Sequence, residues 1–190
     1  VVLNYTLKSE IEQELINGSN ETIENNIRIY SSLDRDNLVV NSSNIVQGNN
    51  AKVCINNNLI NSSYIMDSIA EYNADGYAKE DYNIRGFRLD SNSLENNIIL
   101  YDLNIDDATT FEIIYKDKNF DAVKGAVIQV GRHYIGENKV KTVEAPITDS
   151  DGRAVAALEK DDTTYDIRVY KNNKLIDEFE DIVPVCEDDF

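Results

Sequence analysis

The sequence predicts an all-β protein made of two tandem β-sandwich domains preceded by an extended N-terminal strand. Strand-length runs of alternating apolar and polar residues recur along the chain, separated by turn-forming residues. Eleven Tyr, no Trp, only two Pro and abundant Ile, Val and Asn also favour strands joined by turns. With 190 residues and 42% hydrophobic content, the chain can bury two cores of roughly 80 residues each.

The first ten residues form an amphipathic extended segment. Leu3, Tyr5 and Leu7 share one face, and mainly polar side chains occupy the other. We therefore expect residues 1–19 to include a strand held by a sheet edge, either in its own sandwich or in a neighbouring copy. In the second case residues 1–10 would act as an inter-subunit donor strand that links subunits head to tail.

The rest of the first half repeats the strand pattern between Asn-rich turns. Over residues 8–16, apolar positions also recur at helical spacing, so a short helix is an alternative there. The expected strands are 26–31, 37–46, 51–60, 64–72, 82–89 and 97–103.

The second half shows clearer alternation, as in Tyr165, Ile167 and Val169. Turn formers such as Asn172-Asn173 separate its strands. The expected strands are 111–116, 126–130, 139–148, 154–158, 165–169 and 175–185.

Asparagine usage marks a boundary between the halves. Twenty of the 24 Asn lie in residues 1–104, and a polar junction with several Asp residues follows directly. We therefore expect an N-terminal sandwich over residues 20–105 and a C-terminal sandwich over residues 106–190.

The turn Thr148-Asp149-Ser150-Asp151-Gly152 is the most specific local motif. Asp-Gly supplies the positive φ of a tight turn, and an Asp two residues earlier caps it. A strand after Gly125 precedes it, and an aromatic-led strand starting at Tyr165 follows. With this order, residues 108–186 resemble the prealbumin-like sandwich family, which includes the carboxypeptidase regulatory-like domains and repeats of surface proteins. The resemblance implies Ig-like or prealbumin-like sandwiches in a stalk or adaptor role, generally without catalysis.

Five acceptor triplets for N-linked sugar lie in the first third of the chain, with Asn4, Asn17, Asn20, Asn41 and Asn61 as acceptors. Because this sugar is added to chains that cross or leave a membrane, we expect an extracellular or cell-surface glycoprotein whose leader has been removed. No apolar run approaches the length of a membrane span. The net charge of −17 argues against nucleic acid or an anionic membrane surface as a partner.

The two cysteines, Cys54 and Cys186, are disulfide candidates in an oxidising compartment. Such a bond would close a long loop and would stabilise the fold by up to ~5 kcal/mol in the chain-entropy model. Two unrelated thiols fit the sequence equally well.

No residue pattern indicates a catalytic, cofactor or metal site. A run of carboxylates at residues 149–151 lacks the further ligands of a calcium loop, so we expect a plain turn. Asp102, Asp106 and Asp107 suit a solvated linker better than a calcium site. His133 is the single histidine, and we expect it at a surface or strand edge.

These expectations lead to two hypotheses about function. The first is a non-enzymatic structural subunit of an extracellular filament or surface layer that self-associates by strand addition. The second is a monomeric adhesin or carbohydrate-binding module. Aromatic residues on a β-face would stack on sugar rings in the second hypothesis, although core packing also explains them. These aromatic residues are Tyr64, Tyr72, Tyr77, Tyr82 and Phe87.

Overall fold

A computed structural model describes residues 2–186. Val1, at the start of the predicted N-terminal segment, and residues 187–190, at the end of the predicted C-terminal sandwich, lie outside the described residues. Within this range the chain forms thirteen β-strands and two short 3-10 helices (Asn57–Leu59 and Ile135–Glu137), and it forms no α-helix. The prediction of an all-β protein built from tandem sandwiches is confirmed.

Seven strands form the first half. They are β1 (Leu3–Ser9), β2 (Thr22–Ser31), β3 (Leu38–Gln47), β4 (Asn50–Val53), β5 (Tyr64–Asn73), β6 (Glu80–Arg88) and β7 (Asn96–Asp102). One sheet has the order β3-β2-β5-β6 and is antiparallel throughout, and the facing sheet has the order β4-β1-β7. Inward side chains of both sheets, including Ile23, Ile29, Met66 and Leu100, form one apolar core.

Strand β1 lies in the middle of its sheet. It pairs antiparallel with β4 and parallel with β7 over the whole of β7, from Asn96 to Asp102. Leu3, Tyr5 and Leu7 are fully buried in the first core, and the Tyr5 hydroxyl lies 2.9 Å from the Ser68 hydroxyl. The segment thus completes its own sandwich, which is the first of the two arrangements expected for it.

Six strands form the second half. They are β8 (Thr109–Ile114), β9 (Val127–Tyr134), β10 (Lys139–Glu144), β11 (Arg153–Leu158), β12 (Tyr165–Lys171) and β13 (Lys174–Ile182). A sheet of order β10-β9-β12-β13 faces the pair β11-β8, and the core between them contains Ile128, Val130, Leu158 and Tyr165. This half is a β-sandwich, as the resemblance implied.

The turn before β11 has the capping aspartate and the positive-φ glycine that the sequence predicts. The Asp149 carboxylate accepts hydrogen bonds from the amides of Asp151 (2.8 Å) and Arg153 (2.9 Å). Gly152 has a φ of 75°, and a Cβ there would collide with the Tyr115 carbonyl oxygen. These contacts account for the motif as a structural turn.

Two local predictions are wrong. Residues 8–16 do not form a helix, because β1 continues to Ser9 and the chain then folds back so that Lys8 bridges Leu15. The strand expected over 51–60 ends at Val53, since three consecutive Asn residues favour the 3-10 turn that follows.

The two cores meet within one strand. Leu100 belongs to the first core, whereas its neighbour Tyr101 packs in the second. The division into separate domains at residues 105 and 106 stays a prediction, since the halves share buried contacts on both sides of that point. No helix in the described part of the chain is long and apolar enough to cross a membrane.

Candidate functional site

The two halves are joined by backbone pairing at the edge of β6. The Ala145 amide, just after β10, donates to the Asp81 carbonyl (2.8 Å). The Ala145 carbonyl accepts from both the amide and the side chain of Asn83, each at 3.0 Å. One short segment of the second half therefore continues a sheet of the first, and this fixes the relative position of the two sandwiches.

Tyr72 of β5 connects both sandwiches through its hydroxyl. The oxygen lies 3.0 Å from the Val143 carbonyl, 3.1 Å from the Tyr101 carbonyl and 3.2 Å from the Glu80 carboxyl. Burial raises the pKa of Tyr72 well above its ordinary value, and the charge of Glu80 adds to the shift. The phenol therefore stays neutral and acts as a fixed hydrogen-bonding group.

Four carboxyl side chains are buried at this junction. Glu10, Glu80, Asp102 and Glu144 are each at most 3% exposed. Glu80 accepts the Leu103 amide at 3.1 Å, and Glu144 accepts the Ala157 amide at 3.0 Å. We call this set the acidic junction.

Arg132 of β9 is the cation that contacts the acidic junction most directly. Its guanidinium donates to Glu10 at 2.7 Å and also contacts Glu159. Two tyrosines complete the surroundings of Glu10: the Tyr134 hydroxyl donates to its carbonyl at 2.8 Å, and the Tyr165 hydroxyl lies 3.4 Å from its carboxylate. The turn after β1 is thereby tied to the second sandwich.

Burial raises the pKa of each carboxyl in the acidic junction. The pKa of Asp102 rises to about 9, through burial and the charge of Glu10. The pKa values of Glu80 and Glu144 lie well above their ordinary range, again mainly through burial. Burial raises the pKa of Glu10, although the hydrogen bond and charge of Arg132 oppose this shift. Burial tends to lower the pKa of Arg132, but the interaction with Glu10 outweighs it and the pKa of Arg132 is raised. Burial thus favours the protonated form of Glu80, Asp102 and Glu144, whereas Arg132 favours the ionised form of Glu10.

Several sequence expectations are corrected by this geometry. Asp102 is not part of a solvated linker, since it is fully buried. Neither of its carboxyl oxygens has a well-formed hydrogen bond among the described residues, although the nearby Ala74 amide partly lowers its pKa. Tyr72 is 1% exposed, so it offers no surface to a sugar ring. The other four aromatic candidates pack against the first core. Sequence inspection missed the acidic junction because its members are far apart in the chain.

The glycosylation candidates lie on the first half. Asn17, Asn20, Asn41 and Asn61 are exposed, whereas Asn4 of β1 is half-buried and its side chain donates to Asn97 at 2.9 Å. Four of the five acceptors are thus sterically open, and their occupancy stays a prediction.

The cysteines do not meet. Cys54 and Cys186 are both exposed free thiols, so no bond joins them within this chain. Pairing with thiols of other molecules stays a prediction.

His133 of β9 lies beside two acids. Its Nε2 atom is 2.7 Å from the Asp166 carboxylate, and a carboxylate oxygen of Asp181 lies within 4.8 Å of both a ring nitrogen of His133 and a carboxylate oxygen of Asp166. Burial tends to raise the pKa of Asp166, but the hydrogen bond with His133 outweighs this effect, so the pKa of Asp166 is lowered. Arg168 also approaches Asp166, at 3.8 Å, so a cation of the protein already faces this cluster.

Each four-stranded sheet has one edge covered by the other half and one edge without a strand partner in the described range. The open edges are β3 in the first sandwich and β13 in the second. A groove of about 530 Å³ lies beside β3, between it and β4. The groove is lined by apolar side chains, among them Ile27, Ile29, Val40, Val53, Ile55 and Leu59, and by amide and hydroxyl groups of Asn25, Ser42, Asn44 and Asn56.

Comparison with known proteins gives no family. No family model and no curated protein matches the chain. Among solved structures, similarity is found to the Bacillus anthracis TIE protein (15% identity, TM-score 0.28), over 95% of this chain and 31% of that one. A Streptococcal ancillary pilin is 10% identical with a TM-score of 0.30, over 98% of this chain and 58% of the pilin. A C-terminal fragment of the pilus adhesin SpaC from Lactobacillus rhamnosus GG is 11% identical with a TM-score of 0.26, over 97% of this chain and 88% of the fragment. TM-scores of 0.30 or lower assign no function to this chain.

Proposed function

We propose that this protein is a structural glycoprotein subunit of an extracellular filament or surface layer, whose copies associate by β-strand addition. It acts without catalysis, carries N-glycans on its first half and has further copies of itself as partners. Its net charge of −17 keeps the exterior hydrated and disfavours nucleic acid.

The observation that carries the proposal is the position of β1. This first strand of the chain fills a slot between β4 and β7, and Leu3, Tyr5 and Leu7 are its buried anchors. The same slot in a second copy would accept the same strand with the same contacts, which is the basis of strand exchange between identical subunits. The contact of Glu10 with Arg132 opposes this exchange, because it ties the end of β1 to its own second sandwich.

The slot is tested by strand complementation. A variant that lacks residues 1–9 should lose its cooperative unfolding transition, because three fully buried anchors are removed. A synthetic peptide of residues 1–9 should restore the transition, whereas the peptide with Leu3→Asp and Leu7→Asp should not. Failure of the intact peptide to bind would reject strand exchange.

Self-association itself is tested by the mass of the native particle in solution, with and without glycosidase treatment. A particle of many copies supports the structural role, and a monomer of 21.5 kDa plus sugar contradicts it.

A monomeric binding module is the second candidate, and the groove beside β3 favours it. Amide and hydroxyl groups over an apolar floor suit a small polar ligand such as a sugar. Glycan-array binding that is lost on Asn44→Ala, with folding intact, would support this role.

A further inference from the structure

We propose that β3 is the edge through which two copies of this chain pair. The two β3 strands run antiparallel around a two-fold axis perpendicular to the sheet, and each copy contributes four strands to one continuous sheet. This inference deepens the proposed function, since it assigns a surface to self-association.

The first argument is charge. β3 has ten residues and none is charged, whereas the whole chain carries a net charge of −17. β13, the other open edge, carries Lys174, Asp177, Glu178, Glu180 and Asp181 among nine residues. Charged residues on an edge strand oppose pairing with another sheet, so β13 is protected by charge and β3 is not. In a strongly acidic protein, an uncharged strand is also a place where a second copy meets little repulsion.

The second argument is exposed apolar surface. Leu38, Val39 and Ile45 of β3 are 46%, 44% and 58% exposed. Val40 and Val46 pack against the first core, so Asn41, Ser43 and Ile45 face outward, and a bulge at Val39 interrupts the alternation before Val40. A partner strand at this edge would bury part of the exposed residues on both faces.

The third argument is register. An antiparallel pairing centred on Ser42 keeps the inward and outward faces of the two copies aligned. It sets Asn41 opposite the partner's Ser43 and Val40 opposite the partner's Asn44, within the regular part of β3 that follows a bulge at Val39. At each end of the pairing, the exposed Leu38 and Val39 of one copy lie near Ile45 and Val46 of the other, and Ser42 meets its own copy at the axis.

A glycan on Asn41 is compatible with this pairing. Asn41 faces outward, and the register sets it opposite the small side chain of the partner's Ser43. The sugar would leave from the outer face of the sheet, while the pairing uses backbone groups in its plane.

Charge substitution tests the edge. In protein made without glycans, Val39→Lys with Ile45→Lys should raise the dissociation constant of self-association about tenfold or more, because lysines of the two copies then lie close together at each end of the pairing. Both positions are exposed, so unfolding of the single chain should change little. The variant Val39→Glu with Ile45→Lys should restore association, because opposite charges then meet. Ile176→Lys on β13, which is 42% exposed, is the matched control and should have no effect.

Cross-linking tests the register. In a background of Cys54→Ser and Cys186→Ser, mild oxidation should join two copies of Ser42→Cys and leave Ser43→Cys mainly unlinked. Native protein that stays monomeric in sedimentation equilibrium overturns both this inference and the self-association of the proposed function. Native protein that associates normally when β3 carries the two lysines overturns the β3 edge alone.

Discussion

The first core and the acidic junction are both buried, but different forces hold them together. The core of the first sandwich is formed by aliphatic and aromatic side chains from two sheets. The junction between the sandwiches buries four carboxyl groups and the side chains of Tyr72 and Tyr165, with the partly exposed Arg132 and Tyr134 beside them. Apolar packing stabilises over a wide pH range, whereas buried acids make stability depend on their protonation. Each half is held by apolar packing, while the contact between the halves uses specific polar pairs and buried acids, so we expect its stability to depend on pH.

The largest effect is expected for Arg132→Ala at the junction. The substitution leaves Glu10 buried without its cation, and we expect a loss of about 3–5 kcal/mol in the free energy of unfolding. Urea unfolding at pH 7.5 measures it. Adding Glu10→Gln should recover part of the loss, and an unchanged midpoint in the single variant would show that the ion pair does not stabilise the junction.

A core truncation should follow in size. Leu7→Ala removes a fully buried side chain of β1, and the cavity should reduce the free energy of unfolding by about 2–5 kcal/mol, at pH 5 and pH 8 alike. Leu33→Ala is the matched control, since Leu33 is 96% exposed. Thermal unfolding at both pH values measures this. A loss found at only one pH would place Leu7 in the pH-sensitive part of the molecule.

The third prediction is a substitution at Asp102 that should increase the free energy of unfolding. The pKa of Asp102 is about 9 in the folded chain and about 4 in an unfolded one, so the folded state binds the extra proton between these values. The stability contributed by this proton is complete below pH 4 and is lost as the pH rises through 9. Asp102→Asn mimics the neutral acid, so it should stabilise the protein by about 1–2 kcal/mol at pH 8 and change little at pH 5.

The pH dependence of unfolding checks the effect of Asp102. The native protein should be more stable at pH 5 than at pH 8, because Glu80 and Glu144 have pKa values raised in the same direction. The Asn variant should have a shallower slope over this range. An identical slope in both proteins would mean that Asp102 keeps its ordinary pKa.

The smallest effect is expected for a surface ion pair. Arg153 donates to Glu112 at 2.9 Å, but both side chains are about half exposed. Glu112→Ala should therefore change the free energy of unfolding very little, and the change should be smaller still in high salt, which screens the pair. Urea unfolding at low and high salt measures it. A loss comparable with that of Arg132→Ala would remove the distinction between buried and exposed pairs.

The local alternation of apolar and polar residues was sufficient to locate most strands of this protein. Alternation of apolar and polar residues placed β2, β3, β5 and β12 within a few residues of their bounds, because a sandwich buries one face of each strand. The Asp149 turn followed from side-chain chemistry, which is also local. The helix suggested at residues 8–16 failed because three apolar positions at helical spacing also fit a strand followed by a turn.

The sequence by itself determined the all-β class, the two runs of strands and the amphipathic face of β1. Only the tertiary structure decided that β1 fills its own sandwich, that Asp102 is buried beside Glu10 and that β3 has an open edge. The physical reason is distance along the chain. Alternation and turn chemistry act between near neighbours, whereas burial, edge exposure and the pKa of a carboxyl depend on segments that meet only after folding.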